Sequence, residues 1–470
     1  MKNIILALVL ICAVAANAAD VGRVIVRQQW PWSTAINVDF ELSGVSASAP
    51  ADISLRCYNG VAEIPAATVD AALSGMRYAL TEGGTYTLTL DPTVLFPSGT
   101  KTVPDFRVTV AASTASEKSL EVLYKIVNLQ SPYDVEDVTR ARLLNGEMGA
   151  VETDYAAFGA KYGTTFRTSL TDVLIWTGVT NNIKYKTTHM VLRKIPADGQ
   201  SFKFLKGISI TTESGASTTA GIDTSFTNDF YIGVFEVTQS QYLKVRAHPD
   251  GSFWCTNVLY AATRPAERMY FSSGMRGKTL GAKWPQGDHT DVDSGSFMEG
   301  LQSRTGLVFD LPTEAMWEFA CRAKSTTQLY TGYDYTYARA KYLARMKDMN
   351  APNSQSSPAR DADLSSGPAE VGTYLPNAWG LYDMYGNVSE RVLDNKDDNY
   401  RYPDSLTLVD PRGSENYSDS KQYRHCKGGS FVYHPANLNG GQLPRTATTT
   451  AGASDAFTGF RVCLYPDFSL

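Results

Sequence analysis

Apolar and polar residues alternate with a period of two through the first quarter of the chain. Residues 21–27 (VGRVIVR), 35–42 (AINVDFEL), 53–58 (ISLRCY), 85–90 (TYTLTL) and 106–110 (FRVTV) show it. The pattern predicts strands with one buried face. Turn clusters at Ser43-Gly44, Asn59-Gly60, Glu82-Gly83-Gly84 and Pro97-Ser98-Gly99 separate them. Short strands at this spacing predict an immunoglobulin-like β-sandwich over residues 19–112. A Ser/Ala/Thr-rich boundary at 111–117 follows. Strand character returns in 120–129 and 186–195, with helix-like patches over 135–158, so 113–189 reads as a connector of mixed strands and helices.

From residue 190 the period changes. Residues 230–236 predict a strand, and Thr238 then predicts the N-cap of a helix through Val245. Ser294 or Ser296 caps a predicted helix over 297–304. Pro312-Thr313-Glu314 opens another, with Trp317, Ala320 and Cys321 on one face. Residues 347–367 are polar and read as a loop. The chain closes on a long Thr/Ala/Gly/Asn-rich stretch between Gly428-Gly429 and Gly459-Phe460-Arg461. A long loop pinned between short strands is where sites are commonly built, and those strands must pair with earlier segments.

Four segments in order carry a family likeness: FYIGVFEVTQSQY (230–242), FDLPTEAMWEFACRA (309–323), YLPNAWGLYDMYGNVSERVLD (374–394), and GGS (428–430) with GFR (459–461). This ordered set resembles the formylglycine-generating enzyme family, also called the sulfatase-modifying factor family, over about residues 191–470. The resemblance implies an irregular α+β, C-type-lectin-like domain over 190–470. It also implies one of two activities: oxidation of a sulfatase cysteine to formylglycine, or binding of other ligands where the catalytic parts are lost.

In the family, two cysteines just beyond GGS, five residues apart, hold copper(I). The matching positions here are Tyr433 and Leu438, so no copper is expected; Ser430 matches the family serine. The resemblance therefore points to a non-catalytic ligand-binding or structural protein. The alternative is an oxidoreductase of the same superfamily with altered chemistry in the same cleft. Ser430, Tyr433, His434, Asn437, Leu438, Asn439 and Gln442 are the candidate cleft lining, and a protein or a glycan is the expected partner. The resemblance also implies structural calcium, held by the side chains of Asp383 and Glu390 and the carbonyls of Gly386 and Val388. The other reading of that loop is an acidic, helix-capping turn without metal. Ser389 and Arg391 stand where the family has Trp. Cys321 and Cys463 match the family's disulfide, with the second one residue late; two buried free thiols are the other reading.

Composition narrows the class. The 470 residues carry a net charge of -5 with no basic stripe, which argues against nucleic acid. Aromatics are 11%, with 26 Tyr, which favours β structure. Lys2, the apolar run 4–16 and Ala16-Asn17-Ala18 predict a signal peptide over 1–18, hence a secreted or periplasmic protein with no membrane span. Without Cys12, an odd set remains: Cys57, Cys255, Cys321, Cys426 and Cys463. His189, His248, His289, His425 and His434 show no metal-ligand spacing and read as ordinary surface or hydrogen-bonding residues. Asp288, Asp291 and Asp293 miss the EF-hand pattern and read as acidity before a helix. Trp30 and Trp32 read either as a ligand contact or as a cover for the sandwich end.

Overall fold

The computed structural model describes residues 19–28, 33–97, 103, 105–167, 170–246, 253, 260–277, 284–334, 336–346, 367–397, 399–415, 424–432 and 457–469. The expected signal peptide, Trp30 and Trp32 lie outside this set. The chain divides into two compact units: Met1–Glu121 with Thr139–Glu147, and Val122–Val138 with Met148–Leu470.

The first unit holds two antiparallel sheets. One runs in the order Asp20–Gln28, Ile36–Ser43, Gly84–Leu90, Leu73–Ser74; the other runs Ala62–Glu63, Ala51–Asn59, Phe106–Thr114. Alternation decides which side chains go inside. Val38, Phe40 and Leu42 share one core with Ile53, Leu55 and Cys57. Fully burying such a side chain stabilises by about 1.5–3 kcal/mol. The helix Ala66–Ala72 was not anticipated; Val69 and Ala72 bury it in the same core.

The expected connector is not a separate body. The strand Val122–Asn128 joins the second unit's sheet, whereas residues 139–147 belong to the first unit. There the Asn145 side chain accepts from Arg77 N and Tyr78 N at 3.0 Å each and donates to the Tyr78 carbonyl at 2.8 Å. One side chain thus satisfies three backbone groups, which holds a distant segment in place.

The second unit is built on a six-stranded sheet in the order Leu307–Asp310, Cys463–Ser469, Phe230–Gly233, His189–Ile195, Val122–Asn128, Val135–Thr139. The C-terminal strand pairs backward as its position required, with Leu464 opposite Tyr231 and Cys463 opposite Ile232. Three helices follow their caps. Thr238 and Gln241 form a capping box for Gln239–Val245. Ser296 caps Phe297–Thr305, which ends on Gly306 at φ 69°, and Thr313 caps Glu314–Arg322. A smaller sheet, Arg424–Lys427, Ser389–Asn395, Thr458–Gly459, gathers the GGS, GFR and Tyr385–Asn395 segments.

Cys321 and Cys463 are both free and buried, so the disulfide is not made. Each thiol has another neighbour. Cys321 Sγ donates to the Met384 carbonyl at 4.0 Å, and Cys463 interacts with the Tyr465 side chain. Among the described residues, no helix is long and apolar enough to cross a membrane.

Candidate functional site

The family segments converge on Arg461. Its guanidinium is wholly buried and meets Glu390 twice, Nε to Oε2 at 2.7 Å and Nη2 to Oε1 at 2.6 Å. It also donates to the carbonyls of Gly233, Val234 and Tyr382. Trp317 Nε1 donates to Glu390 Oε2 at 2.7 Å. One arginine therefore ties together the strand at 230–233, the loop at 382–390 and the GFR strand. The fork geometry of arginine suits this bidentate role.

Glu236 sits beside this pair. It accepts from Asn387 Nδ2 at 2.6 Å and from Val388 N at 3.1 Å. Burial, then the charges of Asp383 and Glu390, hold its carboxyl well above the usual range. Asp383 Oδ2 accepts from Gly372 N at 2.6 Å, while Oδ1 is buried without a partner. Burial is also the main cause that pushes Asp383 up to about 6. The loop backbone is unusual. Asp383 and Asn387 both lie at φ 57° and Gly386 at φ 70°. A Cβ on Gly386 would meet the Arg345 carbonyl oxygen at 2.3 Å, so only glycine fits.

Glu390, an expected calcium ligand, has both oxygens committed to Arg461 and Trp317. Asp383 offers one uncommitted oxygen. Glu236, Asp383 and Glu390 gather about the Arg461 guanidinium, and burial favours the protonated form of the first two. Among the described residues, no group of three or more His, Cys, Asp or Glu side chains is placed to hold a metal.

The GGS turn docks on this loop. Gly386 N donates to the Gly428 carbonyl and Phe431 N to that of Asn387. Gly428 and Gly429 lie at φ 85° and 75°. Ser430 is fully buried and its Oγ has no partner. Of the other cleft candidates, Tyr433, His434, Asn437, Leu438, Asn439 and Gln442 lie outside the described residues.

Two clusters were missed by sequence reasoning. Lys427 is wholly buried and donates to Glu314 Oε1 at 3.0 Å and Glu318 Oε2 at 3.3 Å. Glu318 also pairs with Arg322 at 2.6 Å, and Asp394 Oδ2 accepts from Glu314 N at 2.6 Å. The charged positions inside the otherwise apolar 314–322 helix were the available signal. His289 is the second case. It is buried and takes the hydrogen-bonding rather than the surface reading, with Nδ1 at 3.1 Å from Asp310 Oδ2, and Asp310 is clasped by Arg276 Nε at 3.0 Å. No local motif announces a triad drawn from residues 276, 289 and 310.

Comparison with known proteins follows the same segments. The sulfatase-modifying factor enzyme 1-like domain family matches residues 204–465. The formylglycine-generating enzyme of Thermomonospora curvata is 31% identical over 157 residues, which are 33% of this chain and 49% of that protein. That of Streptomyces coelicolor is 31% identical over 151 residues, 32% of this chain and 45% of its own. That of Mus musculus is 27% identical over 151 residues, 32% of this chain and 38% of its own. The matched stretch thus spans less than half of these relatives. Among solved structures, Treponema denticola variable protein 1 aligns with a TM-score of 0.41 at 19% identity, covering 59% of this chain and 96% of its own.

Proposed function

Because the chain belongs to the sulfatase-modifying factor family, we propose that it is a ligand-binding member that does not convert cysteine to formylglycine. The reading is carried by the sequence resemblance and its chemistry: counted from GGS, Tyr433 and Leu438 stand where the family's copper-holding cysteines would fall. A phenol and an alkyl group do not compete with thiolates for copper(I). The described cysteines offer no substitute. Cys57, Cys321, Cys426 and Cys463 are all buried. Burial pushes the Cys57 thiol up to about 11 and holds Cys321 and Cys463 above the ordinary thiol range, so thiolate is disfavoured. Cys255 lies outside the described residues.

The supporting frame is the GGS turn, Ser430 and the Arg461–Glu390 pair, all buried. On this reading residues 433–442 supply the contacts, in a C-type-lectin-like domain, to a protein or glycan. The first unit's two sheets act as an immunoglobulin-like module, and the chain is exported after cleavage behind Ala18. Calcium, held by Asp383 and the carbonyls of Gly386 and Val388, stiffens the loop beneath the cleft.

The test is to incubate copper-loaded protein with a sulfatase peptide carrying the modifiable cysteine and look for the aldehyde by mass spectrometry. The expected result is unmodified peptide; turnover by the wild-type chain would overturn the reading in favour of a family oxidoreductase. Tyr433→Cys with Leu438→Cys is the stricter probe. Copper(I) binding gained by that double variant is the expected outcome if the cleft frame survives and only the ligands were lost.

A further inference from the structure

A cavity of ≈ 240 Å³ opens in the second unit, away from the GGS turn; Ser430 does not line it. Its inner wall is aromatic and buried: Phe226, Phe230, Trp284, His289 and Tyr465, with Met316 beside them. His289 stacks on Tyr465 with ring centroids 3.5 Å apart and lies 4.7 Å from Trp284. Asp310 and Arg276, both wholly buried, fix the His289 ring from behind. The rim is acidic. Asp229, Asp288 and Asp410 line it against the single guanidinium of Arg412, and no lysine does. Across the whole chain the balance is nearly even, 48 acidic to 43 basic residues.

We propose that this cavity binds a small organic cation with an apolar body, of the alkyl- or quaternary-ammonium class. The apolar, aromatic interior takes the organic body in a low dielectric, and the lining carboxylates face the ammonium head. The molecule already displays the interaction: the Arg412 guanidinium lies 4.1 Å from the Trp284 ring centroid. Arg412 is held there by its bond to the Gly287 carbonyl, and Trp284 Nε1 donates back to the Arg412 carbonyl at 2.8 Å. Its charge is thus committed to the wall. The carboxylates are not equivalent. Asp229 pairs with Lys194 at 3.0 Å, and Asp410 accepts from Thr227 N and Oγ1. Asp288 is exposed and lines the cavity, which makes it the counter-charge for an incoming cation.

The experiment uses the full chain and two probes of equal shape, choline and its neutral isostere 3,3-dimethyl-1-butanol, measured by titration calorimetry. Choline is expected to bind about tenfold more tightly than the alcohol. Asp288→Asn, an exposed change that leaves the core alone, is expected to weaken choline several-fold and leave the alcohol unchanged. Tyr465→Leu is expected to weaken both, with near-ultraviolet circular dichroism confirming the fold. Equal affinity for the two probes, or no choline binding, would overturn the proposal. So would an Asp288→Asn variant that binds choline as well as wild type, or methyl glycosides displacing choline at lower concentration.

Discussion

Single residues in this fold carry charges that their surroundings must balance. Asp394 is the clearest case. Burial, then the neighbouring Glu314 charge, pushes its carboxyl up to about 7, against the pull of Glu314 N and Lys427. A carboxyl raised on folding binds its proton more tightly in the native state. Its contribution to stability is full below the unfolded value of about 4 and is lost as pH rises through about 7. Replacing Asp394 with Asn removes that titration. The melting temperature of the variant is therefore expected to fall less than that of wild type between about pH 5 and 7, and scanning calorimetry across that range checks it. Glu314 titrates the opposite way: burial raises it, but Lys427 and His425 outweigh that and hold it below the usual range. It stays in both proteins, so the difference isolates Asp394. Calcium belongs at the same scale. Asp383 Oδ1 lacks a partner, so a cation bound only to the native state stabilises by mass action. Excess chelator is expected to lower the melting temperature of wild type and to leave Asp383→Ala unchanged. A chelator-insensitive wild type would mean that Arg461–Glu390 holds the loop alone.

Helices here begin where the sequence marks them. Thr238, Ser296 and Thr313 each accept from a backbone N–H in the first turn; the sequence named Thr238 as a cap, left Ser294 and Ser296 open for the second helix, and marked the third only by Pro312-Thr313-Glu314. Removing the cap in Thr313→Ala is expected to cost about 1 kcal/mol, read from urea unfolding with an unchanged slope. Larger loss would show that Thr313 also supports the buried Glu314–Lys427 pair behind it. Strand positions were equally legible, since alternation is set by local residues. What stayed hidden depended on distant segments. The helix Ala66–Ala72 has too few turns to show a period, and Pro65 at its N-cap offers no side-chain bond. The resemblance placed Glu390 among the calcium ligands by its position in the loop, and nothing local announced its other partners. The donors that consume its oxygens, Arg461 and Trp317, lie 71 and 73 residues away. His289 looked ordinary for the same reason: Asp310 is 21 residues on. Motif reading found the family positions, whereas charge pairing across the fold decided what each position does.

At the scale of the molecule, the boundary between units was the least legible feature. Composition placed it at a Ser/Ala/Thr stretch near residue 112, but residues 139–147 return to the first unit after the strand Val122–Asn128 has joined the second. A connector was expected because mixed strand and helix character follows that boundary. The structure instead assigns each by its hydrogen bonds. Asn145 is the test residue, because its side chain closes three bonds to the backbone of residues 77 and 78 within the first unit. Asn145→Ala leaves those two N–H groups and one carbonyl, all part-buried, without their partner, a loss of roughly 1 kcal/mol. Calorimetry of the full chain is expected to show two transitions, since each unit has its own core. The variant should lower the transition of the first unit and leave that of the second in place. Assignment is independent of Asn145: Phe40→Ala, at 1% exposure in the first unit's core, must move the same transition. If Asn145→Ala and Phe40→Ala shift different transitions, residues 139–147 belong with the second unit. If both variants shift one common transition that contains all the heat, the chain unfolds as a single cooperative block.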